Sequence, residues 1–392
     1  MREVVILSAA RTPVGRFQGG LAGIAAPRLG SVAIAEAVRR AGLAPDDVDE
    51  VIMGNVLAAG LGQAPARQAT LHAGLPIAVR AITINKMCGS GLKAVMLAQQ
   101  AIATGDADVI VAGGMENMSA APYLLERART GYRLGDDRIV DTILRDGLTD
   151  AYQNIHMGNC AEILAREYRI SRTEQDDYAK LSYTRAINAM DEGKVADEIV
   201  PVEVPQAKGA AVVVAEDEEP RRVNFEKIPT LRPVFEEGGT VTAANASSIS
   251  DGGAAVVVAA AEVAKQRGWR PLARIVGQAG AAMAPEWFTI APAQATQALL
   301  KKVGWSKTDV DLIEINEAFA AVVIGVCRDL GMRYDRVNVH GGAVALGHPI
   351  GASGARILTT LLYSLKRQGK KRGIATLCLG GGNGVAMAVE LY

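Results

Sequence analysis

The feature that most limits the fold of this chain is an internal repeat. Residues 41–55 align with residues 303–317 at an offset of 262, and later matches continue at offsets close to this. The matched positions are Gly42 with Gly304, Asp47-Val48-Asp49 with Asp309-Val310-Asp311, Ser90-Gly91 with Ser353-Gly354, and Gly113-Gly114 with Gly380-Gly381. The shared order of elements favours two similar halves, although two generic helix-strand units of one protein are the alternative.

Short apolar runs, among them the predicted strands 312–315 and 336–339, alternate with helical stretches along the chain, which is typical of an α/β protein. The wholly apolar run 254–260 suits a strand that is covered on both faces. It resembles the last strand of the second half, but about 135 residues separate it from the preceding glycine pair. We therefore predict an inserted segment that contains its own helices. The predicted units are 1–118 plus 249–269, the insertion 119–248, and the second half 270–392.

Composition excludes several classes of protein. Lys+Arg and Asp+Glu are both 42 and aromatic residues make up 4%, so neither a nucleic-acid nor a membrane partner is expected. No apolar stretch reaches the roughly 20 residues of a membrane helix. The four cysteines form no CxxC pair, which argues against a disulfide framework and a metal site. The first residues lack the features of a secretory signal, so we expect a cytoplasmic protein, with a processed organellar one as the alternative.

Cys88 lies between a predicted strand and a predicted helix, with Gly89 and Gly91 beside it. Unpaired N–H groups and the dipole at a helix N-terminus stabilise a thiolate, and flanking glycines let a ligand approach the sulfur. This position is typical of a nucleophile. The alternative is a buried, inert cysteine, which is the commonest form of a free thiol.

Three further junctions carry residues that are suited to acyl chemistry. His348 lies in a glycine-rich segment and can take a proton from a thiol, or it can be a turn histidine with one structural hydrogen bond. Cys378 ends a predicted strand before Gly380, whose backbone N–H can help to form an oxyanion hole. Asn316 follows another strand and can hold a water or a carbonyl, or cap a helix.

Taken together, these segments resemble the signature sequences of the thiolase family, in order and over essentially the whole chain. The resembling segments are GQAPARQ (62–68), NKMCGSGLKAV, HMG (156–158), GTVTAANAS (239–247), NEAFA, GGAVALGHPIGASGAR and ATLCLGGGNGVA. The resemblance implies the α/β thiolase fold. That fold has two similar βαβαβαββ-type halves with an inserted loop domain, in a five-layer αβαβα arrangement.

The resemblance also implies an acyl-CoA:acetyl-CoA C-acyltransferase that forms and cleaves 3-ketoacyl-CoA through an acyl-Cys88 intermediate. His348 would activate Cys88, Asn316 would hold a water, Cys378 would move a proton, and Cys88 and Gly380 N–H groups would bind an oxyanion. The alternatives are a decarboxylating ketoacyl-synthase-like enzyme and a non-catalytic acyl-CoA-binding relative.

The same resemblance implies that coenzyme A and acyl-CoA bind as substrates, with no permanently bound cofactor, and that the chain forms a homodimer or homotetramer. The positions it assigns to CoA are His156, Met157, Arg221, Ser247, Ala318 and Phe319. Arg222, the next residue, is the alternative to Arg221 for the same contact. Two positions depart from the family pattern. His340 replaces a usual Asn, and Phe288 lies in a segment that borders the acyl pocket of relatives.

Overall fold

The computed structural model describes residues 1–392 and contains fourteen strands and ten α-helices. The strands are β1 (Val4–Arg11), β2 (Gly15–Arg16), β3 (Glu50–Gly54), β4 (Arg80–Ile84), β5 (Val109–Asn117), β6 (Tyr123–Leu124), β7 (Val140–Asp141), β8 (Val202–Val204), β9 (Val212–Val214), β10 (Ser250–Ala260), β11 (Ala273–Ala282), β12 (Leu312–Ile315), β13 (Arg372–Leu379) and β14 (Asn383–Leu391). The helices are α1 (Ala26–Ala41), α2 (Pro65–His72), α3 (Ser90–Thr104), α4 (Met157–Glu167), α5 (Arg172–Asp191), α6 (Ala261–Arg267), α7 (Ala291–Val303), α8 (Ala320–Leu330), α9 (Ala343–Leu346) and α10 (Ser353–Arg367). None of these helices has the length and hydropathy needed to cross a membrane.

The main sheet has two parts that meet at a narrow seam. Its strand order is β12-β13-β14-β11-β1-β10-β5-β3-β4, and β2 pairs with β10. The seam between β1 and β11 consists of two residue pairs, Val5 with Arg274 and Ile6 with Ala273. Each part therefore forms a mixed sheet of its own, which agrees with two similar halves.

Alternate residues of the strands enter different apolar cores, because successive side chains in a strand point to opposite faces. In β1, Val5 and Leu7 pack with α1, whereas Val4 and Ile6 pack with α3 and α10 between the two sheets. The other face of the second sheet packs on α4, α7 and α8. One core between the two parts of the sheet and one on each outer face give the five layers that were predicted.

The two central helices approach closely at the repeated Ser-Gly pairs. A Cβ at Gly91 would lie 2.7 Å from the backbone nitrogen of Ala355, and one at Gly354 would collide with the backbone nitrogen of Leu92. Neither position has room for a side chain. The glycines thus allow α3 and α10 to cross backbone to backbone, and this crossing brings the two halves together.

Most of the repeat found in the sequence corresponds to the same structure, but one match is wrong. Equivalent aspartates end the turns before β3 and β12, at Asp49 and Asp311. However, Gly113-Gly114 lies inside β5, whereas Gly380-Gly381 lies in the turn after β13. The predicted strand at 336–339 is also wrong, since Val337 and Val339 form only isolated bridges there, with Ile313 and Gly341.

Residues 118–249 connect β5 to its antiparallel neighbour β10. This segment contributes two small hairpins, β6–β7 and β8–β9, that do not join the main sheet. Its helices α4 and α5 bury side chains such as Leu164 and Tyr178 in the same core as α8 of the second half. The exact division of the chain into three units stays a prediction.

Candidate active site

Cys88 lies in a tight turn of five residues between β4 and α3. Met87 has a φ of 47°, in the left-handed region that is unusual for a residue with a side chain. The buried hydroxyl of Ser90 accepts from the N–H of Lys86 (2.8 Å) and donates to the carbonyl of Met87 (2.7 Å). Gly89 packs so tightly on Leu379 of β13 that a Cβ would collide with it. The turn is therefore fixed against the second half.

Burial, and to a smaller extent the nearby Glu116 carboxylate, raise the pKa of the Cys88 thiol to about 11. The backbone N–H groups of Gly380 and of Cys88 itself hydrogen-bond the sulfur and oppose this rise. A thiolate stabilised by the helix N-terminus stays a prediction, because desolvation outweighs the donors in the resting protein. The same two donors converge where an oxyanion would form beside the sulfur.

His348 is buried, and its hydrogen bonds define which nitrogen is free. Nδ1 lies 2.6 Å from Ser353 Oγ, and that hydroxyl donates to the carbonyl of Pro349 at 2.9 Å. Since a hydroxyl has one proton, Nδ1 must donate and Nε2 must carry the free lone pair. Burial, and secondly Arg356, lower the pKa of His348 to about 3, so the ring is neutral. Nε2 is therefore a proton acceptor.

Asn316 follows β12 and lies beside this free nitrogen. Its Nδ2 is 3.4 Å from His348 Nε2, and its Oδ1 is 3.5 Å from Arg356 Nη2. Because arginine only donates, the carbonyl oxygen of the amide faces Arg356 and the NH2 group faces His348. The buried Arg356 thus orients the amide. Its role was missed in the sequence, where it reads as one more residue of an amphipathic helix.

Cys378 is fully buried near the end of β13, and its pKa is well above the usual value. Burial is the main cause, and the Cys88 thiol is the second. The two sulfurs therefore lie near enough to influence each other, although 290 positions separate them in the chain. The turn that follows begins with Gly380, whose N–H reaches Cys88. The structure thus brings together the residues for which the sequence predicted catalytic roles.

A cavity of about 350 Å³ opens beside these groups. Cys88, His348 and Gly380 line it, and so do five of the six residues predicted to contact CoA: His156, Met157, Ser247, Ala318 and Phe319. The sixth, Arg221, lies away from it and pairs with Asp191 at 2.7 Å on the surface. The apolar residues of the cavity that the sequence did not single out are Met118, Leu144, Leu148, Val234, Phe235, Ala243, Ala246, Ile249 and Ile350.

The residues predicted near CoA are held by contacts within the cavity wall. His156 caps α4 by accepting the N–H of Gly158 at 2.9 Å, and its ring stacks on Phe235 with centroids 4.7 Å apart. The Ser247 hydroxyl donates to the carbonyl of Ala318 at 2.9 Å. Burial lowers the pKa of His156. A neutral ring and apolar neighbours suit a neutral ligand here.

The two departures from the family pattern differ in their position. Phe288 is buried and lines the cavity. His340 does not line it, and its Nδ1 lies 2.9 Å from Ser364 Oγ. Burial lowers the pKa of His340 to about 4. Only Phe288 can therefore change the shape of the site directly. No group of three or more His, Cys, Asp or Glu side chains is arranged to hold a metal ion.

Comparisons with known proteins agree with this geometry. The model of the thiolase N-terminal domain matches residues 4–262, and that of the thiolase C-terminal domain matches residues 269–391. The chain belongs to the thiolase family. This confirms the resemblance and the thiolase fold that were predicted from the sequence.

Several relatives resemble this thiolase along its full length. Acetyl-CoA acetyltransferase of Cupriavidus necator is 54% identical, with 100% of each chain covered. The mitochondrial acetyl-CoA acetyltransferase of Rattus norvegicus is 52% identical over 100% of this chain and 91% of its own. Two solved structures are also similar. Bacillus anthracis acetyl-CoA acetyltransferase has a TM-score of 0.98 and 44% identity, covering 100% of this chain and 99% of its own. Acat5 thiolase from Ascaris suum in complex with coenzyme A has a TM-score of 0.95 and 42% identity, with 100% of each covered.

Proposed function

We propose that this thiolase is an acetyl-CoA acetyltransferase that joins two acetyl-CoA molecules, and cleaves the product, through an acetyl-Cys88 intermediate. The observation that carries the proposal is the convergence of Cys88, Gly380 N–H and the free Nε2 of His348 on one cavity, with the Cys378 thiol beside them. Full-length relatives with this name support the choice of acetyl-CoA.

In the first half-reaction, the Cys88 sulfur attacks the thioester carbonyl and its proton passes to His348 Nε2. The tetrahedral oxygen accepts from the N–H groups of Cys88 and Gly380. Coenzyme A leaves with the proton of Cys378. Acetyl-Cys88, a Cys378 thiolate and a protonated His348 remain. Each ion alone is disfavoured by burial, but together they form a stabilising pair.

In the second half-reaction, the Cys378 thiolate removes a methyl proton from a second acetyl-CoA. The enolate oxygen then accepts from protonated His348 Nε2 and from a water that the Asn316 amide holds. The enolate carbon attacks acetyl-Cys88, and the Cys88 thiolate that leaves recovers its proton from His348. All three side chains return to their starting states, so the cycle balances without a cofactor.

The binding of CoA is supported by the size and chemistry of the cavity. About 350 Å³ of mostly apolar space lies within the range of small-ligand sites and is too small for a whole CoA molecule. The acyl group and pantetheine would therefore fill it, near His156, Met157, Ser247, Ala318 and Phe319. Arg221 remains a proposed contact for the distant adenosine end. It would have to exchange its ion pairs with Asp191 and Glu216 for a phosphate.

The acyl preference is proposed to be short. The buried ring of Phe288 occupies part of the cavity wall, together with Leu148 and Met157. A bulky aromatic ring in the wall leaves less depth for an acyl chain than a smaller side chain would.

The assembly is proposed to be a homodimer or homotetramer. The edge strand β4 exposes Ile82, and Ile77 just before it is 82% exposed. An exposed edge with apolar side chains suits pairing with a second copy. The cytoplasmic location stays a prediction.

The function is tested by incubating the protein with acetyl-CoA alone and measuring its mass after digestion. We expect one acetyl group on the Cys88 peptide, none in Cys88→Ala, and an unchanged result in Cys160→Ala, whose thiol is buried in α4. Turnover of Cys88→Ala should fall by ~10⁴-fold or more, as for removal of other nucleophiles. Condensation that requires malonyl-CoA instead would favour the decarboxylating alternative.

A further inference from the structure

The loop that carries His348 belongs to the second half but rests on the first. Residues 348–352 pack on the ends of β3 and β5, since a Cβ at Gly114 would collide with the carbonyl oxygen of Gly351 and one at Gly54 would lie 2.9 Å from it. The histidine thus lines the cavity beside Cys88 only while this loop stays seated on the first half.

A single hydrogen bond joins residues 348–352 to residues 1–118: the N–H of Gly351 donates to Glu116 Oε2 at 2.9 Å. Glu116 is fully buried at the end of β5. Gly351 lies three residues after His348 and two before Ser353, which fixes the histidine tautomer. The carboxylate therefore holds the loop between these two groups.

The same carboxylate also binds the segment that follows β3. Oε2 accepts from the N–H of Val56 (3.0 Å), and Oε1 accepts from the N–H of Leu57 (3.1 Å) and from Nδ2 of Asn55 (2.7 Å). All four of its partners are donors, so both oxygens must be free to accept, which requires the ionised form. Neither the reaction cycle nor any motif of the sequence gives Glu116 a role.

We infer that Glu116 is a positioning residue, whose ionised carboxylate seats the loop of His348 on the half of the molecule that carries Cys88. This inference deepens the proposed acetyl transfer and rests on it for its kinetic consequences. A second buried carboxylate holds α9, the helix just before the loop, in a comparable way. Glu317 accepts from the N–H of Val344 at 3.0 Å and from the hydroxyls of Tyr178 and Ser182 at 2.7 Å.

Burial, and to a smaller extent Asp251 of β10, raise the pKa of Glu116 to about 7, while the three backbone donors oppose this rise. Asp251 and Cys88 are the titratable groups that face it, and burial raises the pKa of Asp251 to about 6. As the pH falls through 7, Glu116 takes up a proton and loses an acceptor, so turnover should fall. Stability should rise over the same range, because the folded carboxyl binds its proton more tightly than the unfolded one. If acid instead unfolded the whole protein, turnover and stability would fall together.

The test compares Glu116→Gln with Glu162→Gln. Glu162 is a matched control because it is also buried and accepts from the backbone N–H groups of Thr240 and Val241, but it does not touch the loop. Hydrogen exchange, followed by mass spectrometry, should accelerate at least ~10-fold in the peptide containing residues 347–354 of Glu116→Gln and remain unchanged in Glu162→Gln. Unchanged exchange in Glu116→Gln overturns the inference whether or not the protein transfers acetyl groups.

Kinetics provide a second, separate readout. In Glu116→Gln, kcat should fall ~10- to 100-fold with the KM for acetyl-CoA within ~3-fold, since the loop positions His348 but not CoA. The wild-type inflection in kcat near pH 7 should disappear, and Glu116→Asp should recover part of the rate. An equal loss in Glu162→Gln, or the same inflection in Glu116→Gln, contradicts the positioning role. Absence of acetyl-Cys88 in the wild type would instead defeat the proposed function.

Discussion

The two halves of the molecule share a scaffold but divide a nearly equal length of chain differently. From Asp49 to Ser90 there are 41 positions, and from Asp311 to Ser353 there are 42. In the first half, ten residues separate β3 from α2, and five separate β4 from α3. In the second half, four residues separate β12 from α8, and fifteen lie between the bridge at Val337 and α10. The long connection thus comes before the edge strand β4 in the first half and after the corresponding bridge at Val337 in the second half.

This difference in loop length separates the chemical roles. The short turn in the first half has room to direct one side chain into the site, and that side chain is Cys88. The long loop in the second half reaches across to the first and supplies His348. The serine that begins each central helix has an equivalent role in the two halves, since each fixes the catalytic residue of its own half. Ser90 hydrogen-bonds the Cys88 turn, and Ser353 hydrogen-bonds His348.

The largest expected effect distinguishes the chemical role of Cys378 from that of Cys88. In Cys378→Ala the rate of condensation should fall ~10²- to 10⁴-fold, which is the usual contribution of a positioned acid or base. Acetylation of Cys88 should fall less, because His348 can return its own proton to coenzyme A. Stopped-flow mass analysis of acetyl-Cys88, together with deuterium exchange into the methyl group of acetyl-CoA, measures the two steps. Equal losses in both would show that the roles are not divided in this way.

The next effect concerns the contact between the halves. Gly91→Ala and Gly354→Ala should each destabilise the protein by about 3 kcal/mol, since a methyl group would meet backbone atoms that cannot move aside. Gly23→Ala is the control, because nothing lies within 4 Å of its Cβ position. Denaturant unfolding gives the three values. Two neutral substitutions would mean that the central helices can separate without cost.

The matched serines give a smaller and more selective effect. Ser353→Ala leaves Nδ1 of His348 without its acceptor, so the other tautomer of the ring can form. We expect kcat to fall ~10-fold, which corresponds to the free energy of a typical lost hydrogen bond. Ser90→Ala should instead change the alkylation rate of Cys88 by iodoacetamide, because it loosens the turn. If both variants alter alkylation alone, Ser353 does not act through the histidine.

The sequence was sufficient for the repeat, the family and the residues at strand ends, because each leaves a local pattern of glycines and polar residues. It was not sufficient for Glu116, Arg356 or Phe235. These residues act through partners at distant positions, such as Gly351 for Glu116 and Asn316 for Arg356. The strand expected at 336–339 failed for a related reason. Asn338, with a φ of 47°, turns the chain and uses its side chain to bind Ile315 and Glu317, which ends the pairing after Val337.

The smallest effect tests how closely the scaffolds agree. Asp49 Oδ2 accepts from the N–H groups of Asp108 and Val109, and Asp311 Oδ2 accepts from those of Lys371 and Arg372, all between 2.7 and 3.0 Å. Both aspartates are half-buried, so water replaces part of what is lost in Asp49→Ala or Asp311→Ala. Each should lower the free energy of unfolding by about 1 kcal/mol and leave kcat unchanged. A loss several times larger in one half would mean that the two turns, despite their shared sequence, do not support the sheets equally. The half with the larger loss would be the one whose sheet depends more on this turn, and the second half, where a bridge replaces the edge strand, is the place to look first.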